Sequence, residues 1–291
     1  MRTGYQDSGA DIAYNLQEHS TAKVITPTAN PDPAKYEGWC FPDTEEGFLS
    51  AVKNGANCLW ANTIIFKDHP LQTSKKLPAL SPGLKVVGQP PLLVQAYDDK
   101  DFVGRLLQRE GRFNVPKAFT ASSEDDVEVN LGRHGMEPPV VVKPVRGRGS
   151  QGVKVCRTLD AIKEHLQELK ARSIVEEFLA GVEGTITVMP PSASESDYWS
   201  LPIVLRFNHD EGIAPYNGIV AVTANSKVVP PAEALSDPAI AKVQRQCEDV
   251  ARLLKPTAPI RIDARKRDGR PGSQFALFDV NMKPVSNGRS G

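Results

Sequence analysis

Apolar and polar positions alternate along the first third of the chain in two different periods. Some segments repeat apolar side chains every three or four positions, as helices with one buried face do, and others are short apolar runs typical of strands. The predicted helices are 8–18 and 45–54, and the predicted strands are 22–26, 58–61 and 84–87. Segments 68–83 and 88–91 are rich in Pro, Ser and Gly and predict connections. Strands that alternate with helices indicate a mostly parallel sheet covered by helices.

A compact α+β pattern follows, and strands then dominate the rest of the chain. Four helices are predicted here. Two have the bounds 98–110 and 160–171, another begins at the capping-box residues 122–125, and a long one starts at Pro238 and stops at Pro256. The predicted strands are 140–142, 152–156, 173–176, 185–188, 201–207, 218–223, 260–264 and 275–280. We therefore expect an α/β and α+β protein with an N-terminal domain at 1–95, a central subdomain at 96–180 and a C-terminal subdomain at 181–291.

Composition excludes several classes of protein. The chain has 291 residues, 40% apolar and 24% charged, which is typical of soluble globular proteins. Its 35 basic and 35 acidic residues cancel, which argues against a protein that coats nucleic acid or an anionic membrane. No stretch approaches the roughly 18 apolar residues of a membrane span, and the N-terminus lacks the apolar core of a secretory signal. The four cysteines are scattered without a disulfide or zinc pattern. We expect a cytoplasmic location.

The most informative stretch is a glycine loop with a basic flank, from Lys143 to Arg157. It holds five basic residues and no acid. Gly147, Gly149 and Gly152 let the backbone approach phosphate oxygens closely. A strand follows the loop, which argues against a dinucleotide-binding fold, and the Gly-Lys-Ser/Thr of a P-loop and the later motifs of a protein kinase are absent. An ordinary glycine-rich hairpin with a solvated basic face remains the alternative.

Two acidic stretches add further chemistry. Glu176 and Glu177 end a predicted strand and Glu183 follows, so that an extended hinge could meet an adenine edge and a ribose. A charged strand end is the alternative interpretation of this hinge.

Alternation in the last two strands places Arg261 with Asp263, and Asp279 with Asn281, on single strand faces. The short link between these strands predicts that they pair. Oxygen ligands of this kind suit magnesium, which one or two carboxylates plus phosphates commonly hold. A polar hairpin face exposed to water is the alternative.

The order of these motifs, a lysine with a glycine loop, an acidic hinge and an acidic–Asn hairpin, resembles the ATP-grasp superfamily. Within it the chain is similar to the carboxylate–amine ligases of the D-alanine–D-alanine ligase type. The resemblance implies an ATP-grasp fold behind an N-terminal parallel-sheet domain. It also implies ATP with Mg²⁺ (or Mn²⁺) as cofactors, small carboxylate and amine substrates, and a homodimer as a possible assembly. No nucleic-acid or membrane partner is expected.

The resemblance also implies roles for individual residues. The ATP contacts would be Lys100, Lys143, Gly147, Arg148, Gly149, Ser150, Gly152, Glu176, Glu177, Leu179 and Glu183. The metal ligands would be Asp263, Asp279 and Asn281, and Arg261 together with Lys143 would act in catalysis by stabilising the acyl phosphate. Arg206 and Lys283 are further candidates for contacts with the substrate.

Substrate-side stretches differ from the family pattern. Gln6-Asp7-Ser8 lacks the family's glutamate, and Asn281-Met-Lys-Pro lacks its Pro-Gly turn. We therefore predict an amide-forming ligase that is not specific for D-alanine. A small-molecule kinase on the same scaffold and a non-catalytic, regulatory ATP-binding protein are the alternatives.

Overall fold

The computed structural model describes residues 6–124, 126–147, 149–214 and 225–282. The predicted strand at 218–223 and the candidate residues Arg148 and Lys283 lie outside the described residues. The described residues form two compact units. The first takes in residues up to Gln95 together with Thr257–Pro259, and the second takes in Ala96–Pro256 and Ile260–Met282.

The first unit contains the predicted parallel strand pair. Its elements are α1 (Gln6–His19), α2 (Glu45–Lys53), β1 (Cys58–Trp60), α3 (Pro70–Thr73), α4 (Lys76–Leu80), β2 (Lys85–Val87) and α5 (Pro91–Tyr97), the last of which runs into the second unit. β1 and β2 pair in parallel, which confirms the predicted orientation. α2 begins where the Thr44 hydroxyl accepts a hydrogen bond from the Gly47 amide.

Two predictions for this unit were wrong. Residues 22–26 form no strand, and the segment 68–83 contains α3 and α4. The segment 88–91 connects β2 to α5 as predicted, and its last residue, Pro91, begins that helix. A strand depends on a neighbour that completes its hydrogen-bond ladder, and that neighbour is invisible in a local apolar run. α3 and α5 begin at prolines, Pro70 and Pro91, which suit the first helical turn as well as they suit a loop.

The central part of the second unit is a four-stranded antiparallel sheet in the order β3-β6-β4-β5. Its elements are α6 (Lys100–Glu110), β3 (Ala118–Ala121), α7 (Val127–His134), β4 (Val140–Pro144), β5 (Lys154–Cys156), α8 (Leu159–Leu169) and β6 (Ser173–Glu177). α7 and α8 cover one face through a core that includes Val140, Val142 and Val175. β3 was not predicted, and α7 starts after Asp126 rather than at the capping box.

The C-terminal part is a second sheet in the order β10-β9-β7-β11-β12, with β8 paired to β7. Its elements are β7 (Glu183–Met189), β8 (Trp199–Ser200), β9 (Val204–Arg206), β10 (Ser226–Val228), α9 (Pro231–Ser236), α10 (Pro238–Leu254), β11 (Ile260–Lys266) and β12 (Phe275–Asn281). The apolar stripe of α10 is buried as predicted and packs on this sheet. The predicted strand 201–207 is shorter, and only 204–206 form β9.

The lengths of the helices bear on the expectation that the chain has no membrane-spanning segment. None of the helices in the described residues is both long and apolar enough to cross a membrane.

Candidate functional site

Polar side chains cover one face of the β11–β12 pair. The two strands are antiparallel, as the short link predicts, with Arg261 opposite Asn281 and Asp263 opposite Asp279. The intervening residues Ile260, Ile262 and Ala264 are fully buried on the other face. Alternation along both strands therefore brings the four polar residues together.

Arg261 and Asn281 both bind the carboxylate of Asp263. The Arg261 guanidinium donates from Nε to Oδ1 at 2.8 Å and from Nη2 to Oδ2 at 2.9 Å. The Asn281 amide donates from Nδ2 to Oδ2 at 3.1 Å. The charge of Asp263 raises the pKa of Arg261 above its ordinary value. This bidentate contact uses two N–H groups of Arg261, and the guanidinium has further N–H groups that can donate to an anion.

A β-bulge in β12 connects this face to the central sheet. The register passes from Asp263 opposite Asp279 to Ala264 opposite Leu277, so Phe278 is the extra residue. The Phe278 carbonyl accepts a hydrogen bond from Nζ of Lys143 at 3.0 Å. Alternation breaks at Leu277-Phe278 in the sequence, and this was the signal that could have predicted the bulge.

Lys143 and Glu176 form a buried ion pair on the face of the central sheet opposite α7 and α8. Lys143 Nζ lies 2.6 Å from Oε1 of Glu176, and the two residues are only 4% and 6% exposed. Burial raises the pKa of Glu176, and the charge and hydrogen bond of Lys143 offset this only in part. Lys143 is therefore the group that most strongly opposes the effect of burial on the pKa of Glu176.

Lys100 joins Asp279 to the glycine loop. Its Nζ lies 3.3 Å from Oδ1 of Asp279 and donates to the Gly147 carbonyl at 3.2 Å. Burial lowers the pKa of Lys100, but the charges of Asp279 and then Asp98 outweigh it, so the pKa lies above its ordinary value.

Asp279 is surrounded by cations. Burial raises its pKa, but the charges of Lys100, Lys143 and Arg261 together bring it below the ordinary aspartate value. Asp279 is therefore an ionised, buried carboxylate among three basic groups.

The glycine loop uses left-handed backbone at three positions. Gly149, Ser150 and Gly152 have φ values of 61°, 58° and 71°. A Cβ on Gly152 would lie 2.8 Å from Cδ2 of Leu169, so glycine is needed there for space as well as for conformation. Gly147 has no such constraint, since its nearest neighbour would be 3.5 Å away.

The two adjacent hinge glutamates make different contacts. Whereas Glu176 binds Lys143, Glu177 receives Nη1 of Arg267 at 2.7 and 2.6 Å on its two carboxylate oxygens. Nη2 of Arg267 also donates to Oδ1 of Asn114 at 2.8 Å. Sequence analysis missed Arg267 and Asn114, because residues 90 and 153 positions apart leave no local pattern.

Glu183, the candidate ribose ligand, lies at the start of β7 and is buried. Its Oε2 is 2.9 Å from Nε2 of His209 and 3.7 Å from Nη1 of Arg265. Arg206 stands opposite Glu183 in the β7–β9 register. Leu179 is buried at 4% exposure between the hinge and β7. His209 and Arg265 are contacts of this carboxylate that the sequence did not indicate.

A cavity brings several of these groups together. It is open to the solvent and takes in about 630 Å³ of space, part of which is solvent at its mouth. Its lining includes Lys100, Lys143, Glu176 and Asp279, together with apolar side chains from α6, β3 and β12. A ligand there would meet a polar end with two lysines and a largely apolar wall, to which Asp101, Arg105 and Gln108 add polar groups.

The side-chain oxygen atoms on β11 and β12 are ligands of the kind that a hard cation prefers. Oδ1 of Asp279 is buried without a hydrogen-bond partner among the described residues, and Lys100 is its ion-pair neighbour. No cluster of three His, Cys, Asp or Glu side chains suited to a metal occurs in the part of the chain that the structure describes. A metal here would therefore need the Asn281 oxygen beside the two carboxylates, and oxygen sets of this kind suit magnesium.

Comparisons with known proteins agree with this architecture. Residues 97–188 match the family of RimK-like ATP-grasp domains. The D-alanine–D-alanine ligase of Aquifex aeolicus is 37% identical over 98 residues, which are 33% of this chain and 32% of that protein. The matched segment thus spans about a third of the length of this curated relative.

Solved structures resemble the chain over nearly its whole length. The VanG D-Ala:D-Ser ligase of Enterococcus faecalis has a TM-score of 0.65 at 18% identity, covering 98% of this chain and 88% of that one. The N5-carboxyaminoimidazole synthetase of Staphylococcus aureus, complexed with ADP, has a TM-score of 0.66 at 15% identity, covering 98% and 70%. The chain therefore has the ATP-grasp fold, and its residues 97–188 are similar to RimK-like ATP-grasp domains.

Proposed function

We propose that this protein is an ATP-dependent ligase that activates a carboxylate as an acyl phosphate and couples it to an amine. The observation that carries the proposal is the arrangement of Lys100, Lys143 and Arg261 around the buried carboxylate of Asp279. The relatives named above, a D-alanine–D-alanine ligase and a D-Ala:D-Ser ligase, support the same class of reaction.

The chemistry explains why these residue types are needed. A carboxylate is a poor electrophile until its oxygen attacks the γ-phosphate of ATP, and that attack brings two anions together. Cations fixed in advance in a buried site offset the repulsion without reorganising during the reaction. The planar guanidinium of Arg261 suits a carboxylate and the later oxyanion. It binds Asp263 with two N–H groups and has further N–H groups that can donate to the reacting group.

ATP would lie along the line from the hinge to the glycine loop. In this proposal Lys100, Lys143 and the loop from Gly147 to Gly152 meet the phosphates, with Arg148 and Ser150 in the same loop. Glu176, Glu177 and Leu179 meet the adenine and Glu183 meets the ribose. The hinge separates a central subdomain at 96–180 from a C-terminal subdomain at 181–291.

Asp263, Asp279 and Asn281 would hold Mg²⁺, or Mn²⁺ in its place. When bound, the ion would neutralise charge on the phosphates. Arg206 and Lys283 remain candidates for contacts with the carboxylate or amine substrate. Specificity for D-alanine is not part of the proposal, because Gln6-Asp7-Ser8 lacks the acidic residue that the resemblance leads one to expect.

The test uses ATP, Mg²⁺ and panels of carboxylic acids with amines, and it measures phosphate release and product mass. A carboxylate labelled with ¹⁸O should pass one labelled oxygen to phosphate, since the acyl phosphate breaks at the carbonyl carbon. Phosphate release that never depends on a carboxylate would refute the proposal. A phosphorylated product without an amide would instead indicate a kinase.

A matched pair of variants tests the site itself. D279N removes the central carboxylate charge and should abolish turnover. D268N removes a charge of the same kind from the link between β11 and β12, where Asp268 binds Arg270 away from the cavity, and should keep full activity. Equal turnover in the two variants would contradict the assignment.

A further inference from the structure

The carboxylate of Glu183 is held through one of its two oxygen atoms. Both contacts fall on Oε2, which lies 2.9 Å from Nε2 of His209 and 3.7 Å from Nη1 of Arg265. Oε1 accepts no hydrogen bond from the residues that the structure describes. A carboxylate oxygen has two lone pairs, so Oε1 is available to accept from a hydroxyl group of a ligand.

His209 donates the hydrogen bond to Oε2 whatever the charge of its ring. A carboxylate has lone pairs and no proton to give, so Nε2 must carry a hydrogen. The neutral ring with its proton on Nε2 meets that condition, and so does the protonated ring. The two side chains are only 17% and 10% exposed, so water competes little for the contact.

The turn that carries His209 is itself fixed. Asp210 and Ile213 exchange two backbone hydrogen bonds, at 2.9 and 2.8 Å. Gly212 in this turn has a φ of 88°, and a Cβ there would lie 3.1 Å from ring atoms of Phe178 in the hinge. The turn is therefore closed on itself and packs closely against the hinge, with no room for a side chain at Gly212.

Arg265 on β11 connects the same turn to the hinge. Its Nη1 donates to the Gly212 carbonyl at 2.6 Å, and its Nε donates to the Gly181 carbonyl at 3.0 Å. Its guanidinium also lies over the ring of Phe178, 5.2 Å from the centroid. Gly181 is two residues before Glu183, so one side chain anchors both the turn with His209 and the chain that leads into Glu183.

We propose that His209 is a positioning residue, which holds Glu183 through Oε2 so that Oε1 can accept from a ribose hydroxyl, and which thereby raises the selectivity for ATP over its deoxy analogues. This inference rests on the proposed function, because it requires Glu183 to bind the ribose of ATP. A carboxylate that is already fixed loses less side-chain entropy when it binds the hydroxyl. An analogue without that hydroxyl leaves Oε1 unpaired and gains least from the fixed carboxylate.

The first experiment measures binding by calorimetry with Mg²⁺ and without a carboxylate substrate. The ligands are ATP and the two analogues that lack the 2′- or the 3′-hydroxyl, and the selectivity is the affinity for ATP divided by that for the weaker-binding analogue. H209A should lower this selectivity about three- to tenfold, the equivalent of one hydrogen bond. H209Q has an amide N–H that can donate to Oε2 and should restore most of it. H19A, which removes an exposed histidine on α1, should keep the parent value.

The second experiment tests whether His209 acts through Glu183. E183A should remove the selectivity, and adding H209A to E183A should lower the affinity for ATP no further. A purely structural role of His209 would instead make the two losses of affinity add, as they do for independent sites.

Each result decides between the inference and the proposed function. Selectivity in H209A equal to that of the parent protein, or additive losses in the double variant, would overturn the inference. ATP binding by the parent protein with no preference over either deoxy analogue would also overturn it, and would leave the proposed ligase intact. A parent protein that binds no ATP at all would refute the proposed function and the inference together.

Discussion

The buried ion pair between Lys143 and Glu176 makes the sharpest stability prediction. The variant K143M keeps an unbranched apolar stem of similar length and removes the terminal ammonium group with its charge. Glu176 would then lose its partner at 2.6 Å, and the Phe278 carbonyl would lose a donor at 3.0 Å. Both pair members are almost fully buried, so water cannot replace the lost contacts.

The expected cost follows from that burial. Removing one partner of a buried ion pair costs about 3–5 kcal/mol of unfolding free energy, because the other charge stays buried and unpaired. The matched control is K227M, which breaks the exposed 3.6 Å pair with Glu233. It should cost less than about 1 kcal/mol.

The stability that K143M loses should also depend on pH, and the direction of that dependence can be worked out. Burial already raises the pKa of Glu176, and without Lys143 it should rise further. A carboxyl with a raised folded-state pKa contributes stability that is fully present below the unfolded pKa and is lost as the pH rises through the folded pKa. The free energy of unfolding of K143M should therefore be closer to that of the parent protein at about pH 5 than at about pH 7.5.

Urea denaturation followed by circular dichroism at both pH values provides the measurement. The double variant K143M/E176L should recover most of the loss, since it removes both charges and leaves apolar side chains. If K143M and K227M lost similar stability, or if the loss in K143M did not change with pH, the burial argument would be wrong.

Three smaller predictions concern the loop and the β11–β12 link. G152A should cost about 1–3 kcal/mol in urea denaturation, because Gly152 combines a φ of 71° with a clash, whereas G147A should be tolerated. R267A should cost about 1–2 kcal/mol by losing the hydrogen bonds of a half-buried side chain to Glu177 and Asn114, while R270A, at an 85% exposed side chain, should change stability little. The hydrogen bonds from Arg270 lower the pKa of Asp268 to about 2, so NMR should show its carboxylate losing charge only near that value, and R270A should raise this pKa.

Side-chain periodicity carried most of what could be predicted. The apolar stripe of α10 and the alternation of β11 and β12 follow from the positions of residues within single elements, and the structure confirms both. The segment 22–26 shows the limit, since an apolar run reads as a strand whether or not another strand lies beside it. The helices α3 and α4 show the converse, because the prolines within them and the serines that follow them are also common in loops.

For the candidate site too, the sequence predicted some features and the tertiary structure decided others. The sequence alone determined which residues can bind phosphate or a cation, because charge, oxygen ligands and glycine are properties of single positions. It also determined that Asp263 and Asp279 share a strand face with Arg261 and Asn281. That Asp279 is buried among cations was decided only by the tertiary structure.

The contacts that tie the site together were likewise decided by folding. The bulge at Phe278 and the pair of Lys143 with Glu176 join residues that lie far apart in the chain or in separate elements. The pKa of a carboxylate depends on which groups surround it and how much water they exclude. Those neighbours exist only once the sheets and helices have packed.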